Sequence, residues 1–366
     1  MVTKKQGIIK VAVVLSSPII KDLLATILQN DRDIHVIGNG LRHKDAIELV
    51  KSRHPDILLL EYRSPDISGL EVIRRVMREA PLPIILIYDN LTTDEKELTF
   101  TALQAGAIAA LKVPDKNDTE EHSNFLRIVR NVVGVPVIHH WGHSQADRVN
   151  NASNLHAPSA HTEETIQSIA RNISDIETIG IAASTGGPGA LTRILTGLPK
   201  TFPVPVLIVQ HISNGFEIGF SEWLKKQVQL DVTVVSRQEA LRPGTIYLAP
   251  EDCHLEIPVR GMVTLSKDSP YKGLRPSANQ LFHSLAKTYE SSCLGVILTG
   301  MGDDGLHGLM TLHQSGGFVI AQDEASCAVF GMPKEAIRNN VVNEVLSLEQ
   351  IALVLKKFAM MKNSPK

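Results

Sequence analysis

The sequence predicts an α/β protein built from two doubly wound, mostly parallel-sheet domains: a five-stranded one, then a larger one with a hairpin insertion. Three observations lead to this class. Short apolar runs of strand type alternate with amphipathic segments along nearly the whole chain, a rhythm that gives parallel sheets covered on both faces. The rhythm fades after Val133, where Asn, Ser, His and Ala accumulate. At 366 residues, 43% of them hydrophobic, the chain is long enough for two separate cores. The expected division is residues 8–134, a linker at 135–175, and residues 176–360.

In the first domain, strands are expected at Ile9 to Leu15, His35 to Ile37, Ile57 to Leu60, Ile84 to Ile87 and Ala107 to Leu111. The helices expected between and after them are Ile19 to Leu28, Asp45 to Ser52, Gly69 to Arg78, Glu95 to Ala105 and Asn124 to Val133. From His139 to Thr162 the chain reads as a linker. His139, His140 and His143, with Trp141 among them, could be imagined as metal ligands, but no carboxylate or cysteine completes a set, so a solvated segment is the favoured reading.

The second domain has strand candidates at Thr178 to Ala183, Val206 to Gln210, Val232 to Val235, Thr245 to Ala249, Leu294 to Thr299 and Phe318 to Ala321. Its helical candidates are Ala190 to Leu198, Glu217 to Gln227, Ala278 to Tyr289, Gly305 to Gln314 and Leu348 to Phe358. A hairpin insertion is expected around His254 to Leu265.

Composition narrows the function. A formal net charge of −2 supplies no global field for nucleic acid or an anionic membrane surface. Cys253, Cys293 and Cys327 are odd in number and lack Cys-x-x-Cys spacing, so they read as core thiols of a reducing compartment. There is no secretory apolar core and no run long enough to span a bilayer, so a cytoplasmic protein that is not membrane-inserted is expected. Neither a metal nor a cofactor is expected.

The stretch Thr178 to Leu191 carries the first chemical signal. A strand-type run stops at Ser184, the next residues are small and glycine-rich, and a helix follows, so Ser184 sits on a strand-to-helix turn. Ala183, Gly186 and Gly187 leave its hydroxyl accessible, and the N–H groups opening the helix collect partial positive charge there. Two readings fit this stretch alone: a nucleophile, or an N-capping serine in an ordinary glycine-rich connection. It departs from the Gly-x-Ser-x-Gly hydrolase elbow, because Ala182 replaces the first glycine.

Two further strand ends carry titratable groups. One apolar run ends at His211, and another runs into Thr299-Gly-Met-Gly-Asp-Asp-Gly. If these strands neighbour that of Ser184, one crevice holds a serine, an imidazole to take its proton and a carboxylate to orient the imidazole. The order Ser184, His211, Asp304 differs from the Ser, Asp, His order of α/β-hydrolases, so that fold is not assigned.

The first domain resembles the receiver domain of two-component response regulators, through its element order, Pro65 to Gly69 and Gly106-Ala107. That resemblance implies a magnesium-dependent phospho-aspartate site at the strand ends. However, Leu15 and Ser16 stand where the family has two acidic residues, and Glu61 replaces the acceptor aspartate. Tyr88 replaces the switch hydroxyl, and Val113 stands at the lysine position, with Lys112 one place off. Without the acidic pair the cation loses most of its charge compensation, so the domain reads as a pseudo-receiver. Glu61 then reads as a solvated strand-end carboxylate and Tyr88 as packing over the site.

The second domain resembles the chemotaxis protein-glutamate methylesterase family (CheB). The motifs are Ala-Ala-Ser-Thr-Gly-Gly, Val-Gln-His, Arg-Pro-Ser-Ala, Gly-Val-Ile-Leu-Thr-Gly-Met-Gly-Asp-Asp-Gly and Ala-Gln-Asp-Glu-Ala-Ser-Cys-Ala-Val-Phe-Gly-Met-Pro, in that order. The resemblance implies Ser184 as nucleophile, His211 as base and Asp304 as its orienter, with Met301 and Thr185 at the oxyanion pocket. Asp303 stands where the family usually has asparagine and reads as an exposed acid. His307 and His313 read as helix-surface or packed residues, and His254 and His283 have weak claims.

The implied reaction is hydrolysis of glutamyl γ-methyl esters on the cytoplasmic helices of methyl-accepting chemoreceptors, with glutamine deamidation as a second activity. Arg275 is a candidate receptor contact, its bland role being a surface ion pair. Other chemosensory signalling proteins are further candidate partners. Two rival readings are a non-catalytic signalling or scaffold protein that keeps the fold, and an esterase acting on a small ester.

Overall fold

The computed structural model describes residues 8–63, 68–89, 93–133, 160–212 and 215–363. The chain divides into two compact units, Met1–Asn151 and Ala152–Lys366. The histidines at 139, 140 and 143, and Pro65, lie outside the described residues.

The first unit runs β1(Ile9–Val14), α1(Pro18–Gln29), β2(Ile34–Gly40), α2(His43–Arg53), β3(Ile57–Glu61), α3(Gly69–Glu79), β4(Ile84–Tyr88), α4(Thr93–Gln104), β5(Ala109–Lys112), α5(Thr119–Val132). Its sheet has the order β2-β1-β3-β4-β5, with every pairing parallel. The inner strands Ile57–Glu61 and Ile84–Tyr88 are almost wholly apolar because helices cover both faces. Helix starts follow capping chemistry: Ser17 accepts the Ile20 N–H ahead of Pro18, Ser68 caps α3, and Asp118 accepts from Glu120 and Glu121.

The second unit opens with α6(Ala160–Asn172) and β6(Thr178–Ala183), then α7(Gly187–Leu195), β7(Val206–Gln210), α8(Glu217–Lys225), β8(Asp231–Val234), β9(Glu239–Ala240) and β10(Thr245–Leu248). It continues with β11(His254–Val259), β12(Met262–Ser266), α9(Ala278–Tyr289), β13(Cys293–Ile297), α10(Leu306–Gln314), β14(Phe318–Gln322), α11(Met332–Arg338), β15(Glu344–Leu346) and α12(Leu348–Asn363). Seven strands form a parallel sheet in the order β15-β14-β13-β6-β7-β10-β8. The expected hairpin insertion is β11 and β12, joined by β9 in a separate antiparallel sheet of three strands.

Four elements escaped the sequence reading. Helix α6 falls inside the stretch taken as a linker, yet Ile166, Ile169, Ala170 and Ile173 bury one face and the helix packs against α12. Their spacing is helical, but polar Gln167, Ser168, Arg171 and Asn172 between them diluted the signal. The short β9, α11 and β15 were unassigned, being two, seven and three residues long.

Candidate active site

Strand β6 is buried along its whole length and delivers Ser184 at its carboxyl end. The Ser184 N–H donates to the Thr299 carbonyl at 3.0 Å, and the Gly187 N–H donates to the Ser184 carbonyl at 2.8 Å, which turns the chain into α7. Gly186 caps that helix at φ 78°, the left-handed region that favours glycine. A side chain would also be blocked there, since a Cβ at Gly186 would meet the Ala328 Cβ at 2.4 Å. Ser184 and Thr185 are half-buried, and the Thr185 carbonyl accepts from Thr299 Oγ1 at 2.9 Å.

The neighbouring strands are those the argument requires. β6 lies between β13 and β7, with Ala183 opposite Gln210 and Ala182 opposite Ile297. The His211 N–H donates to the Ala183 carbonyl at 3.0 Å, so His211 stands one step past the last pair, level with Ser184. Buried Gln210 couples the two: its Nε2 donates to the carbonyls of Ser184 (2.9 Å) and His211 (2.8 Å).

Asp304 is only 3% exposed, and its Oδ2 lies 2.9 Å from His211 Nε2. The imidazole N–H is not aimed at that oxygen, so the pair is in close contact without a well-formed hydrogen bond. The remaining lone pairs are met at the start of α9. Oδ1 accepts from Ser277 Oγ at 2.6 Å and from Asn279 Nδ2 at 2.8 Å, with the Asn279 N–H at 3.3 Å; Oδ2 accepts the Ala278 N–H at 2.7 Å. Burial works against the charge, but the contact with His211 and the Ser277 and Ala278 donors outweigh it and hold the carboxyl below the usual aspartate range.

One residue earlier the environment inverts. The Asp303 side chain is 41% exposed and pairs with Lys272 at 2.5 Å. Between Ser184 and Asp303 runs the turn carrying Met301, which is half-buried. That turn packs so closely that a Cβ at Gly300 would meet Met332 Sδ at 2.3 Å and Ser184 Cβ at 2.8 Å.

Beside His211 lies a pocket of about 150 Å³ lined by Ile212, Glu217, Ala249, Glu251 and Arg275. The Arg275 guanidinium is largely committed: Nε and Nη2 donate to Asp252 (2.9 and 2.6 Å), and Nη1 to the carbonyls of Lys267 and Asp268 (3.0 Å each). Four bonds on five N–H groups make it a staple between two loops, which is the ion-pair role weighed against receptor contact. His307, in the first turn of α10, bonds the Tyr271 hydroxyl through Nδ1. Burial, then the charge of His307, pushes His283 below the ordinary histidine value.

The CheB methylesterase family model matches residues 179–355, and the response regulator receiver domain model matches residues 11–120. Protein-glutamate methylesterase/protein-glutamine glutaminase 1 of Syntrophus aciditrophicus (strain SB) is 38% identical over 354 residues, covering 96% of this chain and 98% of the relative. The chain belongs to the protein-glutamate methylesterase family. A second relative of that name, number 4 of Myxococcus xanthus (strain DK1622), is 36% identical over 352 residues, 95% of this chain and 96% of its own. The crystal structure of the Thermotoga maritima CheB methylesterase catalytic domain shares 37% identity and covers 50% of this chain and 98% of that one, at a TM-score of 0.48.

In this member of the methylesterase family, the receiver-like strand ends are filled by side chains. Leu15 is fully buried and Tyr88 is 7% exposed. Glu61 is not simply solvated, as its sequence position suggested: it is half-buried, and its carboxylate accepts the Ser16 N–H. Its carbonyl accepts from Nε2 of buried His43 at 2.8 Å. Val113 is half-buried and donates its N–H to the Tyr88 carbonyl at 2.8 Å, while Lys112 beside it is exposed.

Sequence reasoning missed four residues of the methylesterase site: Gln210, Ser277, Asn279 and Thr299. Each lay inside a quoted motif or next to one. Their role is to bond the backbone or carboxylate of the residues singled out, which no spacing rule displays.

Proposed function

We propose that the second unit is a serine hydrolase that removes methyl esters from glutamyl side chains on chemoreceptor cytoplasmic helices, and that it also deamidates receptor glutamines. The observation that carries this reading is the buried, ionised Asp304, 2.9 Å from a histidine at the strand end next to that of Ser184. The relatives' names, which join methylesterase with glutaminase, support the paired substrates.

In this reading, Ser184 Oγ attacks the ester carbonyl carbon while His211 takes the hydroxyl proton. Asp304 faces Nε2, so Nδ1 is the nitrogen left to act as base. The tetrahedral oxyanion is met by the Met301 turn and Thr185, at about 3 kcal/mol for each well-aimed donor. Collapse expels methanol, which takes the proton from His211, and leaves a glutamyl ester on Ser184. Water activated by the same histidine then releases glutamate. With glutamine the leaving group is ammonia, and the rest is unchanged.

We also propose that the receiver-like unit, residues 8–134, is not phosphorylated. Supporting this, the Glu61 carboxylate is turned onto the Ser16 N–H, and neither Leu15 nor Ser16 can bind a cation as a carboxylate would. Residues 176–360 are then the catalytic part, with α6 packed onto it. Among the described residues no helix is long and apolar enough to cross a membrane, which suits a substrate met on receptor cytoplasmic helices.

The test is methanol release from methylated receptor by the full chain. Wild type should release it, Ser184→Ala should not, and a fluorophosphonate should label Ser184. Release by Ser184→Ala at the wild-type rate would sink the nucleophile assignment. No release by either would favour the scaffold reading.

A further inference from the structure

His254 opens β11 in the small antiparallel sheet, outside the strand-end crevice, and is fully buried. Both ring nitrogens are engaged: the Ser277 N–H meets Nδ1 at 3.2 Å, and Nε2 lies 3.3 Å from the Ser269 carbonyl. An N–H can only donate and a carbonyl can only accept, so Nδ1 is the acceptor and Nε2 carries the proton. The ring is therefore a neutral imidazole of fixed tautomer.

What it grips is the residue that grips Asp304. Ser277 is the N-cap of α9, and its hydroxyl does two things at once. It accepts the Asn279 N–H at 3.2 Å and donates to Asp304 Oδ1 at 2.6 Å. Ser277 itself is fully buried, so its own N–H would have no water to turn to if His254 were gone. We infer that His254 is a positioning residue for the hydrolysis, fixing the start of α9 and thereby the orientation of the Asp304 carboxylate toward His211. The inference rests on the proposed function. An apolar side chain would fill the same space but leave the Ser277 N–H unpaired, and the cheapest relief is for the cap to shift away from Asp304.

The experiment measures kcat and KM for methanol release from methylated receptor, using full-length variants. His254→Leu should lower kcat about 30-fold, with KM changed by less than about twofold, because an oriented hydrogen-bond chain is lost without touching substrate. His254→Asn, whose Oδ1 replaces the Nδ1 acceptor, should stay within about threefold of wild type, whereas His254→Gln, whose amide reaches the Nε2 side, should not. In an Asp304→Asn background His254→Leu should cause no further loss, because its effect passes through that carboxylate.

A folded His254→Leu with wild-type kcat would overturn the inference. So would equal activity of the Asn and Gln variants, or the same fractional loss in both backgrounds. If the Leu variant does not fold, the Asn and Gln comparison decides. Ser184-dependent release by wild type alongside unresponsive His254 variants rejects this role alone; absence of Ser184-dependent release rejects the function beneath it.

Discussion

Replacing Asp304 by asparagine changes one oxygen to NH₂ and keeps the shape, and the surrounding donors allow the outcome to be worked out. With the NH₂ at the Oδ2 position it faces the Ala278 N–H and His211 Nε2. With the NH₂ at Oδ1 it faces the N–H and Nδ2 of Asn279, while the Ser277 hydroxyl can turn to accept. Either orientation leaves about two buried donors facing a donor, at roughly 1–3 kcal/mol each, so the loss of stability at neutral pH is roughly 2–6 kcal/mol. Activity should fall by roughly 10²–10⁴ in kcat, since the imidazole loses the charge that stabilises its protonated form. The pH dependence has a definite sign. The folded carboxyl titrates below its unfolded value, so its contribution is complete above about pH 4 and is lost as pH falls through the folded value. Below that point aspartic acid donates as the amide does, and the two proteins converge. Urea unfolding of both proteins at pH 7 and at pH 3, with kcat measured at pH 7, checks the argument. Equal stability and equal kcat, or a stability gap unchanged by pH, would refute it.

Two other predictions concern packing and the receiver-like unit. Gly300→Ala should lower kcat by roughly tenfold or more and cost about 1–3 kcal/mol of stability, because the new Cβ would need both about 0.6 Å of movement from Ser184 and a rotation of Met332. Wild-type turnover and melting temperature in that variant would show that the nucleophile's turn has slack. Acetyl phosphate with magnesium should add no phosphoryl group to the intact protein by mass spectrometry, and Glu61→Asp should remain unmodified, since Leu15 and Ser16 still cannot offset phosphoryl charge. A covalent adduct in wild type would end the pseudo-receiver reading.

Most of the parallel architecture was legible because buried strands such as Val206–Gln210 and Cys293–Ile297 are continuous apolar runs bounded by turn residues. Ser184, His211 and the loop holding Asp304 were legible as strand ends from the apolar runs alone, but that their strands are neighbours was not. Sheet order β13-β6-β7 is a long-range property that no local pattern encodes. Arg275 shows another limit, since the four internal bonds of its guanidinium depend on loops that no sequence pattern brings together. Glu61 illustrates another: its missing family partners were visible, but the bond to the Ser16 N–H depends on the packing of β1 against β3.

The distinction between Asp303 and Asp304 has a physical basis in what compensates each charge. Asp303 is exposed and answered by a cation, Lys272. Asp304 is buried and answered by neutral donors, the Ser277 hydroxyl, the Asn279 amide and the first N–H groups of α9. A lysine or arginine there would neutralise the carboxylate and leave little field at His211. Dipoles at a helix start stabilise the anion without cancelling its charge, so the field at the imidazole survives. Burial then strengthens that field, because little water lies between Asp304 and the ring. In the proposed hydrolysis that field would stabilise the positive charge formed on the imidazole as Ser184 gives up its proton. The arrangement therefore needs the helix cap as much as the carboxylate, and the cap is held by His254.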